Sequence, residues 1–189
     1  MLVLFGNAAG ARADPPGDVL LIERAHTMRR HAGQMAFPGG AVDPDDAGPV
    51  ATAVREAHEE TGLDPSGVLV LATLRQLYLP RRAPAPGPGF VVTPVLAWWR
   101  TASDVHAADP AEVASVHRVP LHHLVDPANR LKVQHPSGHV GPAFRLDDLL
   151  VWGFTAGLLD RLLRLGGWER PWNVERTEDL PARLLGRTR

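Results

Sequence analysis

PVATAVREAHEETGL, residues 49–63, has the pattern of an amphipathic helix. Pro49 suits the first turn of a helix, where its missing N–H leaves no bond unmade, and Gly62 suits the residue after the last turn. Apolar residues recur at helical spacing along one side of the segment, and acidic residues lie on the other. The segment therefore predicts a helix from Pro49 to about Thr61 whose apolar face packs against a sheet.

The polar face of this helix carries three carboxylates, Glu56, Glu59 and Glu60, at positions i, i+3 and i+4. Like charges at this spacing destabilise a helix by about 0.3 kcal/mol a pair. A divalent cation removes that penalty, and oxygen ligands without sulfur favour Mg²⁺ or Mn²⁺. Such a triplet alone is more typical of a solvated acidic surface. The Gly-Gly turn before the helix, and Arg55 directly before Glu56, favour a metal site here.

The sequence around this helix predicts a mixture of strands and short helices. A helical turn is expected at 120–125, and a last helix at 149–165 that is opened by Asp147 and Asp148. The predicted strands cover residues 2–5, 18–23, 68–79, 90–99 and 113–119, with a hairpin over 131–145. Their antiparallel-type connections predict an α+β fold in which helices flank a mixed sheet.

A length of 189 residues fits one domain with its own core. We predict that this domain covers residues 1–166 and that residues 167–189 form an irregular C-terminal tail, since two glycines end the last predicted helix. Residues 80–89 hold four prolines and two glycines, which cannot maintain a strand ladder. This segment is therefore predicted to be a loop.

The composition argues against several classes of protein. A formal net charge of −1 gives no overall field toward nucleic acid or an acidic membrane surface. No run approaches the roughly 18 consecutive apolar residues of a membrane span. The apolar start, residues 1–6, lacks the basic region of a signal peptide and is expected to be a strand. The chain has no cysteine, which fits a reducing compartment, and we expect a cytoplasmic protein.

Residues 40–63 resemble the Nudix box, G-x₅-E-x₇-R-E-U-x-E-E-x-G-U, where U is aliphatic. The matching positions are Gly40, Arg55, Glu56, Ala57, Glu59, Glu60, Gly62 and Leu63. One departure stands out. Asp46 keeps the first gap of the box, but eight residues instead of seven separate it from Arg55. The loop is thus one residue longer, and its acid is an aspartate.

The flanking sequence resembles the coenzyme A pyrophosphatase branch of that family. Residues 28–34 read MRRHAGQ and run into FPGG at 37–40, followed by the same longer, Asp-containing loop. The resemblance extends over about residues 20–156. It implies an α/β/α sandwich that hydrolyses the diphosphate of coenzyme A or acyl-CoA, with Mg²⁺ or Mn²⁺, to 3′,5′-ADP and (acyl-)4′-phosphopantetheine.

The resemblance also implies roles for the residues of the box. Glu56, Glu59 and Glu60 are expected to bind the metal together with the Gly40 carbonyl, while one of the carboxylates, with Glu59 the leading candidate, can serve as general base. Arg55 is expected to orient Glu59 or Glu60 through a bidentate pair. An ordinary surface salt bridge is the alternative for this arginine.

Glu112 is a further candidate for the catalytic machinery. Several Nudix enzymes take a base or an extra metal ligand from a loop in this region, so the resemblance makes this residue a possible contributor. An acidic residue stabilised by the dipole at the start of a helix is an equally good explanation. The sequence leaves both interpretations open.

A 3′-phosphate on the substrate requires cationic donors. Arginine suits this task because its planar fork is always charged and binds phosphate with two hydrogen bonds. The candidates are Arg24, Arg29, Arg30, His31, Arg81 and Arg82. Arg29 and His31 match positions of the branch, whereas Arg81 and Arg82 are equally typical of a solvated loop.

Two other functions stay open. The box fits a Nudix hydrolase for another diphosphate, such as ADP-ribose, a dinucleotide or a nucleotide sugar, and only the sequence before and within the longer loop favours coenzyme A. The second alternative is a Nudix-fold sensor that binds a nucleotide without cleaving it. Sensors of this kind typically lose carboxylates of the box, and all three are present. Since Nudix domains often pair, a homodimer also stays open.

Overall fold

The computed structural model describes residues 1–7, 14–80 and 89–185. Most of the described elements are short strands. In chain order the strands and helices are β1 (Leu2–Gly6), β2 (Asp18–Arg24), β3 (Met35–Ala36), α1 (Pro49–Thr61), β4 (Val68–Thr73), β5 (Leu77–Leu79), β6 (Phe90–Val92), β7 (Val95–Trp99), β8 (Val113–Pro120), α2 (Leu121–Val125), β9 (Arg130–Gln134), β10 (Val140–Leu146), β11 (Leu149–Val151), α3 (Gly153–Leu165) and β12 (Thr177–Asp179).

The main sheet has six strands and mixed pairing. Its order is β3, β2, β1, β7, β4, and β8 also pairs with β2. Strands β1 and β7 run parallel, whereas the other pairs are antiparallel. The register aligns Arg24 at the end of β2 with Val113 at the start of β8. The loops that follow β2 and precede β8 therefore meet at one end of this sheet.

Helices cover both faces of the main sheet. Successive residues of a strand point to opposite sides, so the same strands contribute apolar side chains to both faces. On one face, Ala53 and Ala57 of α1 pack with buried strand residues such as Leu4 and Leu20. On the other face, Leu159 of α3 belongs to a cluster that includes Leu21. The predicted α+β class, with a mixed sheet flanked by helices, is confirmed. None of the helices in the described part of the chain is long and apolar enough to cross a membrane.

A second sheet has the order β11, β10, β9, β12. The predicted hairpin is its centre, with β9 and β10 antiparallel. The segment predicted to be an irregular tail contributes β12, which pairs in parallel with β9. Leu180 and Leu184 then pack against the buried Leu131 and Val133 of β9. The three residues of β12 are all polar and exposed, so no alternation of apolar and polar residues predicts this strand.

Two predictions about element boundaries were wrong. The expected strands 68–79 and 90–99 are each interrupted, the first after Thr73 and the second after Val92. Pro94, which has no N–H for a ladder, lies in the second gap. The last helix begins at Gly153 instead of 149, because Leu149–Val151 pairs with β10 as a strand. Asp147 therefore lies in the turn between β10 and β11, with a φ of 50°, and does not open the helix.

A buried ion pair joins the second sheet to α3. Arg130 of β9 is only 1% exposed, and its Nη2 donates to Asp160 of α3 at 2.5 Å. The rings of Phe144 and Trp172 lie on the guanidinium, with centroids 4.6 Å from its carbon. Arg164 donates to the other oxygen of Asp160 at 2.7 Å. This cluster ties together β9, β10, α3 and the segment after α3.

Removing one charge of this cluster tests its contribution to stability. We expect Asp160→Asn to lower the free energy of unfolding by about 3 kcal/mol, because the buried Arg130 charge keeps only Glu169, 3.8 Å away, as a counter-ion. Urea denaturation measures the change. Glu178→Gln is the matched control, since its partner Arg145 and Glu178 itself are exposed, and such pairs contribute about 0.5 kcal/mol. Equal losses in the two variants would contradict the assignment.

Candidate active site

The helix that carries the three carboxylates has the predicted bounds. It begins at Pro49 and ends at Thr61, and Gly62 follows in the left-handed conformation with a φ of 68°. The loop before β8 donates to the last carbonyls of the helix, with the His106 N–H 3.0 Å from the Thr61 oxygen. These bonds satisfy groups that a helix end leaves free. They also fix this loop against the carboxylate-bearing end of α1.

The Gly-Gly turn lies directly against two of the carboxylates. The Gly39 N–H donates to Glu60 Oε2 at 2.8 Å. A Cβ added to Gly40 would come within 2.4 Å of either oxygen of Glu56, closer than any real contact. A side chain at position 40 would therefore force the Glu56 carboxylate away from the backbone. The Gly-Gly turn is thus in direct contact with the carboxylates of Glu56 and Glu60.

Arg55 is hydrogen-bonded to three acidic side chains. Its Nε and Nη2 both donate to Asp46, each at 2.9 Å, in a bidentate pair. Its Nη1 lies 2.8 Å from Glu59 Oε2 and 3.2 Å from Glu56 Oε1. The predicted contact with Glu59 is thus present, but the prediction that Glu59 or Glu60 is the bidentate partner was wrong. Asp46 takes that position because both of its oxygens face the guanidinium.

The extra residue in the loop is accommodated by a local network of hydrogen bonds. The Asp43 N–H and the Thr52 hydroxyl both donate to Asp46 Oδ2, at 2.9 and 2.8 Å. Hydrogen bonds from Arg55 are the main reason why the pKa of Asp46 lies well below its usual range. Asp46 is therefore a fixed anion that positions Arg55. No sequence motif pointed to Thr52, although a hydroxyl in the first turns of a helix is a common partner for a loop acid.

The carboxylates differ in their surroundings. Glu60 is 4% exposed, and burial raises its pKa from an ordinary 4.5 to about 7. The Gly39 N–H and the Arg24 charge oppose this shift, whereas the charges of Glu56 and Glu112 add to it. Burial is also the main cause that raises the pKa of Glu56. Two carboxylates at this site are thus costly to ionise without a nearby cation.

The carboxylates are not gathered around a single point. Among the residues that the structure describes, no three His, Asp or Glu side chains already form a group that could hold a metal ion. Glu59 is turned toward Arg55, and its side chain is 54% exposed. The donors nevertheless fit a divalent cation, because Glu60 is a covered carboxylate without a cation in ion-pair contact among the described residues. Carboxylate oxygens are the ligands that Mg²⁺ and Mn²⁺ prefer.

Glu112 lies at the same end of the main sheet. Its carbonyl accepts from the Ala25 N–H at 2.8 Å, which fixes it beside the end of β2. Its own N–H and that of Val113 donate to the Asp109 carbonyl, so the residue belongs to a turn before β8. Glu112 is exposed, and its charge raises the pKa of both Glu56 and Glu60. The structure therefore brings it within electrostatic range of the α1 carboxylates.

The basic segment after β2 forms a loop closed at its base. The Arg24 N–H donates to the Gln34 carbonyl, and the Gly33 N–H to the Arg24 carbonyl, both at 3.0 Å. Arg29 and His31 are exposed on this loop. Arg24, at its base, is partly buried and lies within electrostatic range of Glu60. The predicted contacts Arg81 and Arg82 lie outside the described residues.

Comparison with known proteins gives consistent results. The chain matches the NUDIX domain over residues 5–143. It is 40% identical over 168 residues to a protein of Cronobacter sakazakii named as an uncharacterized Nudix hydrolase, NudL, with 85% of this chain and 80% of that protein covered. A protein of the same name from Enterobacter sp. (strain 638) is 39% identical over 163 residues, which cover 82% of this chain and 78% of the relative.

One solved structure shares the overall fold. The Nudix hydrolase RenU of M. smegmatis superimposes with a TM-score of 0.51, and the match covers 88% of this chain and 83% of that one. The sequences are 23% identical in this alignment. At that level the likeness concerns the arrangement of strands and helices.

Loss of the Asp46 charge is expected to weaken cation binding. In Asp46→Asn the guanidinium of Arg55 is released toward Glu56 and Glu59, where it competes with a metal ion. We expect the Kd for Mn²⁺ to rise about tenfold, as is usual when a residue that positions metal ligands is lost. Isothermal titration calorimetry measures it. Asp45→Asn is the control, because Asp45 is exposed and its side chain does not contact Arg55. An unchanged Kd in Asp46→Asn would refute the positioning role.

The raised pKa of Glu60 predicts a pH dependence of stability without metal. Below about pH 4.5 the folded and unfolded chains both hold this proton, whereas between 4.5 and 7 only the folded chain still holds it. The stability that Glu60 contributes therefore falls as pH rises through this window. In EDTA, the unfolding free energy of the wild type minus that of Glu60→Gln should decrease from pH 5 to pH 8. A constant or rising difference would show that burial does not govern this carboxyl.

Proposed function

Because the chain belongs to the Nudix family of hydrolases, we propose that it hydrolyses the diphosphate of coenzyme A or acyl-CoA. The chain is a Nudix pyrophosphohydrolase that acts on phosphoanhydride bonds. The products of the proposed reaction are 3′,5′-ADP and (acyl-)4′-phosphopantetheine. The proposal is carried by the backbone hydrogen bonds that hold the basic loop beside the carboxylate site, which we call the tether. Ala25 at the start of the loop bonds to Glu112, and Arg24 bonds to Gly33 and Gln34.

That tether matters because coenzyme A carries a second anionic group besides its diphosphate. Cations for the 3′-phosphate must lie near the carboxylates, and Arg29 and His31 are exposed on the loop that the tether holds there. A guanidinium can bind a phosphate with two hydrogen bonds. We assign these two side chains to the 3′-phosphate. Arg81 remains a predicted contact of the substrate.

Nudix hydrolases generally use divalent metal ions, and the donor set here favours Mg²⁺ or Mn²⁺. Glu56, Glu59 and Glu60 would hold the metal, with the Gly40 carbonyl beside them. When bound, a divalent cation neutralises oxygens of the diphosphate and makes the attacking water more acidic. The raised pKa values of Glu56 and Glu60 support this assignment, since a cation restores the ionised form that burial disfavours.

The protein groups then handle the proton of the attacking water. The water oxygen bonds to one phosphorus as the bridging P–O bond breaks, and the proton from the water passes to a carboxylate. Glu59 is placed for this because it is exposed and held by Arg55 at 2.8 Å, whereas Glu60 is buried and bound to Gly39. Glu112, whose charge acts on Glu56 and Glu60, is the second candidate base. The leaving phosphate oxygen is protonated from solvent, which balances the reaction.

Product analysis of a substrate mixture tests the proposal. Purified protein with Mg²⁺ or Mn²⁺ is incubated with equimolar coenzyme A, ADP-ribose, NADH and a diadenosine polyphosphate, and the products are identified by mass spectrometry. We expect 3′,5′-ADP and 4′-phosphopantetheine to form first. In Glu59→Gln the rate should fall at least about 100-fold, the usual contribution of a general base. Glu175→Gln, an exposed change outside the proposed site, is the control.

The outcomes separate the alternatives. Preferential cleavage of ADP-ribose or a dinucleotide would retain the pyrophosphohydrolase and reject the coenzyme A assignment. Full activity of Glu59→Gln together with a loss in Glu112→Gln would transfer the role of base to Glu112. Binding of nucleotide without any cleavage would reject the catalytic proposal altogether.

A further inference from the structure

Arg24 occupies a position distinct from that of the other basic residues of the loop. It is the last residue of β2, and the alternation along that strand places it on the same face as Leu20, which packs under α1. Its charge is one of those that act on the buried Glu60. The guanidinium therefore belongs to the α1 side of the sheet and lies within electrostatic range of Glu60, whereas Arg29 and Arg30 are exposed on the loop.

The hydrogen-bonding capacity of Arg24 is largely unused. Its Nη2 donates to the sulfur of Met28 at 3.1 Å, and sulfur is a weak acceptor. Its Nε is buried and has no partner. Within residues 1–7, 14–80 and 89–185, no carboxylate lies within ion-pair distance of this guanidinium, since none of the ion pairs there includes it. A buried donor of this kind costs stability unless a ligand satisfies it.

Other partly or fully buried arginines contrast with Arg24. Arg55 is paired with Asp46, Arg118 with Asp18 at 2.7 Å, and Arg130 with Asp160. In each of these cases the protein itself supplies the counter-ion. The fold holds Arg24 within electrostatic range of Glu60 without giving it a counter-ion, so its charge is left for an anion that the substrate brings.

We propose that Arg24 binds non-bridging oxygens of the diphosphate that is cleaved. The inference rests on the proposed function in requiring a diphosphate substrate, but not in requiring coenzyme A. The reacting diphosphate must lie against the carboxylates, because cations held there have to reach its oxygens. In coenzyme A the 3′-phosphate is separated from the diphosphate by the ribose. A cation that acts on Glu60 therefore matches the diphosphate, and the exposed Arg29 matches the 3′-phosphate.

This role predicts an effect on the chemical step. Negative charge accumulates on the phosphoryl oxygens as the bridging bond breaks, and a fixed guanidinium stabilises that charge more than it stabilises the bound substrate. The fork also gives geometry that an ammonium cannot reproduce. Loss of Arg24 should consequently lower kcat more than it raises KM.

The test compares coenzyme A with 3′-dephospho-coenzyme A, which keeps the diphosphate and lacks the 3′-phosphate. For Arg24→Gln we expect kcat/KM to fall about 100-fold on both compounds, so that their ratio stays at the wild-type value. Arg29→Gln is the matched control, and it should lower kcat/KM on coenzyme A alone. Calorimetry with inorganic pyrophosphate should show weaker binding to Arg24→Gln, by a smaller factor than the fall in kcat. Thermal unfolding should be unchanged or raised, since a buried unpaired donor is removed.

Several results would overturn the proposal. A loss confined to coenzyme A would assign Arg24 to the 3′-phosphate, and unchanged kinetics with unchanged pyrophosphate binding would exclude contact with the substrate. A lowered Tm with a normal kcat would indicate a structural role. If Arg24→Gln does not fold, Arg24→Lys, which keeps the charge without the fork, gives the same comparison. If the enzyme instead cleaves another diphosphate, coenzyme A is rejected, and Arg24→Gln is judged on that compound.

Discussion

Repulsion among the carboxylates on one face of α1 is the constraint around which this end of the molecule is organised. Glu56, Glu59 and Glu60 cannot stand side by side as free anions at low cost. Three features of the surrounding chain accommodate these charges. The Gly39 N–H donates to Glu60, Gly40 has no side chain that would displace Glu56, and Arg55 is paired with Asp46. The negative charge that remains on these carboxylates is the charge that a divalent cation would neutralise.

The sequence predicts the elements whose signals are local. Pro49 and Gly62 fix both ends of α1 because helix starts and stops depend on neighbouring residues. The spacing of the three glutamates predicts their common face for the same reason. The hairpin of β9 and β10 is equally local, since its turn and both strands lie within a short segment.

Features that depend on distant partners could not be predicted. The pairing of Arg55 with Asp46 requires the longer loop to fold back, and that fold depends on Thr52 and the Asp43 N–H. The apolar residues before α3 are compatible with a helix, and only pairing with β10 makes them a strand. The residue types of the candidate site are thus readable from the sequence, whereas their contacts are not.

A crystal structure with Mn²⁺ and a non-hydrolysable coenzyme A analogue tests the central claim most directly. Anomalous scattering locates the metal independently of any assumption about ligands. We predict Mn²⁺ between the carboxylates of Glu56 and Glu60, with Glu59 turned toward it and the diphosphate of the analogue bound on its open side. Mn²⁺ bound elsewhere, or a diphosphate remote from α1, would contradict the assignment of these carboxylates as the catalytic centre.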